Sequence, residues 1–165
     1  MTEWKVEILV PDRVDEFLDV LEVVAAEGKW IGTEAPIDRA DRTRRLTAGL
    51  EDGTDLMFVS EADGRVVGGA GLHQVAPGLY DLGMMILEPW RRRGIGSELL
   101  RQCIDAARGR NAYKITLQVW PHNDGAIALY ERFGFVKEGY LRRQWRRQSG
   151  EIWDVVVMGL LLDEV

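Results

Sequence analysis

Between residues 56 and 107 the hydrophobic period changes from that of strands to that of a helix, with sharp punctuation at each boundary, and this restricts the fold more than any other feature. Leu56 to Glu61 and Val66 to Val75 are apolar runs flanking Ala62-Asp63-Gly64, a turn signal that predicts a hairpin. Ala76-Pro77-Gly78 is a second turn, leading into a strand from Leu79 to Leu87. Pro89 stops that strand because it has no N–H to give a ladder. After it, Ile95, Leu99, Leu100, Cys103, Ile104 and Ala107 recur at helical spacing. A meander that runs straight into an amphipathic helix belongs to neither an all-β nor an all-α fold.

The rest of the chain extends this pattern. Trp4 to Val10 alternates as a half-buried strand does. Pro11-Asp12 opens a helix that Asp12 can cap, with Val14, Phe17, Leu18, Leu21, Val24 and Ala25 as its apolar stripe and Gly28 at its end. Lys29 to Ile37 has neither period and reads as a loop, before a charged helix from Asp38 to Leu50. Downstream, Ile115 to Trp120 is a strand, Asp124 to Phe133 a helix, and Phe135 to Trp145 and Ile152 to Leu162 two strands joined through Gln148-Ser149-Gly150. The order β-α-α-β-β-β-α-β-α-β-β predicts an α+β fold with a mixed sheet, antiparallel in the middle, and parallel or crossover pairing near the helical connections after residues 88 and 123. With 165 residues, no repeat and no linker, residues 1–165 are expected to form a single domain.

Composition narrows the function classes. Residues 1–64 hold 7 Lys+Arg against 16 Asp+Glu, and residues 65–165 hold 14 against 11. An acidic chain with a mildly basic second part is a poor general binder of nucleic acid, which needs an uncompensated positive face. The same asymmetry suits a protein that holds a polyanion with one part and meets a cation with the other, or is simply solvated. No apolar run approaches the roughly 18 residues of a membrane helix, and the opening Met1-Thr2-Glu3-Trp4 does not read as a signal peptide. A single cysteine, Cys103, and two distant histidines, His73 and His122, predict no internal disulfide, no metal site and a cytoplasmic setting. Six tryptophans point to an aromatic groove or to a well-filled core.

The segment Arg91-Arg92-Arg93-Gly94-Ile95-Gly96-Ser97 lies between a strand end and a helix start. Glycines there let a ligand approach the main chain, and the first helical turn leaves amides free to attract an anion, most naturally phosphate. The alternative is a tight turn with solvated arginines. The segment is not a Walker A loop, since no Gly-Lys-Ser/Thr follows, and one glycine of the dinucleotide fingerprint is missing.

These residues resemble the GNAT superfamily of acetyl-CoA-dependent N-acetyltransferases. Its Q/R-x-x-G-x-G/A signature is matched by Arg91, Gly94 and Gly96, and its N-x-x-A-x-x-x-Y-x-x-x-G-F by Asn123, Ala126, Tyr130, Gly134 and Phe135. Glu138-Gly139, Gly150, Asp154 and Met158 further resemble the branch of bacterial amino-acid, ribosomal-protein and spermidine N-acetyltransferases. The resemblance covers residue 55 to the end and is thin before it. It implies about seven strands splayed in the middle and about four flanking helices. It implies acetyl-CoA as cosubstrate, its pantetheine arm against Met85, Ile86 and Leu87, and its pyrophosphate on the amides around Arg92, Arg93, Gly94, Ile95, Gly96 and Ser97. It further implies Asn123 beside the cofactor arm, Tyr130 as proton donor to the leaving thiolate, and frequent dimerisation.

The chemistry fits such parts. A primary amine must lose a proton before attacking a thioester, the negative centre formed needs main-chain donors, and a phenol near sulfur can act as general acid. Glu34, Asp81, Glu88, His73 and His122 are all candidate bases, and spacing selects none. Cys103, on the helix stripe, reads as core rather than nucleophile. Trp30, Glu34 and Trp120 are the candidate acceptor residues, with Lys29 to Leu50 as one wall. Trp145 and Trp153, on the last strands, read equally as core. A small amine or amino acid is the expected acceptor; a protein N-terminus or lysine, or a non-catalytic acyl-CoA-binding domain, are the alternatives.

Overall fold

In the computed structural model, which describes residues 3–162, seven strands form one sheet in the order β1-β2-β3-β4-β5-β7-β6. Residues 1, 2 and 163–165 of the expected 1–165 domain lie outside the described residues. The strands are β1 (Trp4–Ile8), β2 (Asp55–Ala62), β3 (Arg65–Ala76), β4 (Leu79–Ile86), β5 (Lys114–Val119), β6 (Val136–Arg146) and β7 (Ile152–Leu161). The helices are α1 (Val14–Ala26), α2 (Arg39–Asp52), α3 (Ile95–Gly109) and α4 (Asp124–Arg132). The expected element order is observed, and every pairing is antiparallel except β4 with β5. No helix among the described residues is long and apolar enough to cross a membrane.

Local chemistry accounts for the turns. Asp63 (φ 50°) and Gly64 (φ 74°) both take positive φ between Ala62 and Arg65, the two-residue hairpin geometry that follows strand twist. Asp38 caps α2 by accepting a hydrogen bond from the Asp41 amide at 3.0 Å, and Gly53 (φ 78°) ends it. Asp12 does not cap α1. Pro11–Arg13 forms a tight 3-10 turn, in which the Arg13 amide donates to the Val10 carbonyl, and the helix begins only at Val14.

The two faces of the sheet carry separate cores. α3 and α4 cover one, where Leu99, Leu100, Cys103, Ile115, Leu117 and Met158 are fully buried. α1 packs on the other through Phe17, Leu18 and Val24, against Val59, Val66 and Met85. It comes so close that a Cβ on Gly69 would lie 2.7 Å from the Phe17 ring. α1 and α2 lie over β2, β3 and β4. Beyond β4 this face is left to the loop after α1 and to side chains of β5, β6 and β7.

Candidate active site

The parallel pairing of β4 with β5 lasts three residues, Leu79 with Lys114, Tyr80 with Ile115 and Asp81 with Thr116. Past Asp81, β4 follows β3 while β5 follows β7, so the sheet opens into a V. A cleft of about 990 Å³ fills the opening, with Leu82 to Ile86 on one side and Gln118, Val119 and Trp120 on the other.

At the wide end of the V stands the N-terminus of α3. Gly94 (φ 87°) precedes it without a side-chain cap, and the amides of Ile95, Gly96 and Ser97 meet no acceptor among the described residues. Uncapped amides at the positive end of a 15-residue helix fit a diphosphate. Arg92, Gly94, Gly96 and Ser97 line the cleft, as do Met84, Met85 and Ile86 of β4. Leu87 and Ile95 do not; Leu87 packs against both cores and Ile95 is fully buried. The three arginines divide. Arg91 donates to the Ile86 carbonyl at 2.8 Å and to both Glu27 oxygens at 3.0 and 2.6 Å, tying the loop to the end of α1. Arg93 lies over Trp90, at 4.9 Å, leaving Arg92 as the member of the three with no partner among the described residues that faces the cleft.

Tyr130 reaches the cleft from α4, its ring 5.6 Å from Phe135. Burial, with smaller contributions from Cys103 and Asp81, holds its phenol well above the ordinary range, so it stays protonated at neutral pH. Asn123 lines the same wall, its side chain occupied in capping α4 through the Ala126 amide at 3.2 Å. Cys103 is buried away from the cleft, its thiol pushed up to about 12 by desolvation, which suits packing rather than attack.

Of the five candidate bases the fold brings two to the cleft. Asp81 sits at the vertex, its carboxyl raised by burial and partly relieved by His73 across β3 and β4. His122 lines the cleft with its Nε2 at 2.8 Å from the Lys29 carbonyl. A carbonyl only accepts, so Nε2 carries the proton and Nδ1 of the neutral ring keeps a lone pair. His73 instead pairs with Asp55 at 2.6 Å on the surface, and Glu88 is not among the cleft-lining residues.

The remaining wall is aromatic. Trp30, Trp120 and Trp145 line the cleft, and Trp153 stands edge-on to Trp120 at 5.0 Å. Trp145 is no core residue: it is 45% exposed and donates to Gln118 at 3.3 Å. No acidic side chain of the first third lines the cleft, and seven of the sixteen pair with Arg13, Arg39, Arg44 or Arg45. What that third gives the cleft is Val24, Trp30, Ile31 and Gly32. Glu34 is outside the main cleft, accepting from the Gln148 amide at 3.2 Å and facing Arg147 at 3.5 Å. Arg147 went unmarked in the sequence, where it reads as one more charge before a turn. It is 4% exposed, in the corner between Trp120 and Trp153 at 5.1 and 4.5 Å. No group of three or more metal-ligating side chains occurs among the described residues.

Comparison with known proteins places the fold and the family. The chain is 39% identical over 95 residues to N-alpha-acetyltransferase RimI of Mycobacterium tuberculosis, a match spanning 55% of this chain and 58% of that protein. It is 28% identical over 138 residues to the L-methionine sulfoximine/L-methionine sulfone acetyltransferase of Pseudomonas paraeruginosa, covering 81% of this chain and 80% of the relative. The fold is shared with the GNAT superfamily phosphinothricin acetyltransferase of Sinorhizobium meliloti, solved in complex with acetyl-CoA, at a TM-score of 0.86 over 96% of this chain and 88% of that one, with 18% identity. Residues 21–135, which include the split in the sheet, the glycine loop and Tyr130, match the acetyltransferase (GNAT) family, to which the chain therefore belongs.

Proposed function

We propose that residues 1–165 act as one N-acetyltransferase domain, moving the acetyl group of acetyl-CoA to the primary amine of a small molecule or amino acid by direct attack in a ternary complex. The observation that carries this reading is the V itself, with an uncapped helix N-terminus at its wide end and the Tyr130 phenol on its wall. Acetyl-CoA supplies an activated acyl group on a good leaving thiolate. The α3 amides with Arg92 hold its diphosphate, and the free edge of β4 from Leu82 to Ile86 orients the arm. Asp81 draws the ammonium toward the vertex, and His122 takes its proton at Nδ1. Tyr130 keeps a proton on its phenol oxygen for the departing sulfur.

A small acceptor is favoured because the Lys29–Glu34 loop crosses to the other half of the sheet, where the Lys29 carbonyl accepts from His122 and the Glu34 carboxylate from the Gln148 amide. The sulfone relative, whose match extends over most of both chains, points the same way. A protein N-terminus is the second reading, carried by the higher identity to the N-alpha-acetyltransferase. The test is thiol release from acetyl-CoA over a panel of L-amino acids, L-methionine sulfone, polyamines and short peptides. Turnover of a free amino acid or amine well above that of peptides is expected; peptides alone would install the second reading, and no release with any amine would leave a non-catalytic acyl-CoA-binding domain.

A further inference from the structure

We propose that Arg147 is the positioning residue that sets the width of the acceptor side of the cleft, by clasping the loop after α1 onto the β6–β7 hairpin. The inference rests on the acetyltransfer reading only for what the cleft holds; the clasp itself stands on geometry.

The loop from residue 29 to 37 contains no helix or strand, so its place depends on what grips it. Three ties do so. Lys29 is held by His122, at 2.8 Å from its carbonyl. The carbonyls of Gly32 and Ile31 accept from Arg147 Nη1 and Nη2 at 3.0 and 3.4 Å. The Glu34 carboxylate meets Arg147 Nε at 3.5 Å and the Gln148 amide at 3.2 Å. Trp30, Ile31 and Gly32, which line the cleft, hang between these points.

The two ends of the clasp belong to different halves of the molecule. The loop joins α1 to α2, which lie over the β2–β4 half, whereas Arg147 follows β6 at the far side of the split. Its own position is fixed by its amide, which donates to the Glu151 carbonyl at 2.8 Å, and by the Trp120–Trp153 corner. A guanidinium suits the post: it can direct several donors at once while its face rests on aromatic rings. A buried cation that spends its donors on two loop carbonyls and the Glu34 carboxylate holds one wall at a set distance from the other.

Arg147→Ala should raise the KM of the best amine of the panel roughly tenfold, about the loss of one charge-assisted hydrogen bond, while leaving the KM of acetyl-CoA within about twofold. The amide resonances of Gly32 and Thr33, which follow the two gripped carbonyls, should shift and broaden in the free protein. Millimolar guanidinium should restore part of both, and urea at the same concentration neither. Arg147→Lys, which keeps the charge and loses the fork, should fall between and serves if the alanine variant does not fold. An unchanged amine KM with unmoved Gly32 and Thr33 resonances, or amine and acetyl-CoA constants rising together, would overturn the clasp. If no amine turns over in the wild-type chain, the acetyltransfer reading fails by itself. The Gly32 and Thr33 resonances and their rescue by guanidinium then decide whether Arg147 fixes this wall.

Discussion

Tyr130 and Asp81 show how one environment treats two acids. Burial disfavours the charged form of each, so the phenol stays a proton donor and the carboxyl is held above its ordinary value. Tyr130→Phe keeps the ring against Phe135 and removes only the hydroxyl. Turnover should fall about 100-fold or more, the usual scale for a general acid, with acetyl-CoA binding retained, as read by steady-state kinetics beside calorimetry. Undiminished turnover would return Tyr130 to packing. For Asp81 the folded chain binds its proton more tightly than the unfolded chain, so its contribution to stability falls as pH rises from the unfolded carboxyl value through the raised one. Asp81→Asn should therefore melt higher than wild type at neutral pH, with the gap closing as pH drops below the carboxylate range, and should turn over more slowly. A lower melting point at neutral pH would mean that the carboxylate is a net support to the fold, through His73.

Among the elements, α3 and its preceding loop bear the binding claim. An added Cβ on Gly96 would lie 3.2 Å from Leu129 and 3.5 Å from Ile86, both lining the cleft, so Gly96→Trp should fill its mouth and abolish acetyl-CoA binding in a titration. Unchanged affinity would move the cofactor site elsewhere. This helix was legible because all six residues of its stripe are spaced at its period and all six are buried. The hairpins were legible because Asp63-Gly64 and Gly78 suit positive φ. The start of α1 was misread because an aspartate two residues ahead of a helix looks like a cap, while Pro11 had already committed the chain to a 3-10 turn. Arg147 was hidden for a different reason. β6 shifts register between Lys137 and Gly139 and again between Leu141 and Trp145, so alternation no longer reports which way a side chain beyond those points faces. Glu34 is chemically apt, but its partner Gln148 is 114 residues away along the chain, a distance that spacing does not span.

At the scale of the whole molecule, one sheet does two jobs by ceasing to be one sheet past Asp81. The β1–β4 half carries α1 and α2, and the β5–β7–β6 half carries the aromatic wall. α3 and α4 share a core across both on the opposite face, which keeps the V from closing or spreading. The negative balance of the first third does not collect at the opening. Seven of its sixteen carboxylates are tied to its own arginines, none of the sixteen lines the cleft, and the cleft's carboxylates are Asp81 and Asp124. On the proposed reading, acceptor choice would rest on shape and on the Asp81 carboxylate at the vertex more than on a long-range field. On the proposed reading, the free amides at the start of α3 grip a diphosphate. Titrating an isotope-labelled chain with coenzyme A and, separately, with pantetheine, which lacks the diphosphate, reads this from the amide resonances. The Ile95, Gly96 and Ser97 amides should move with coenzyme A and stay in place with pantetheine; coenzyme A that binds while leaving those three unmoved would refute the diphosphate grip.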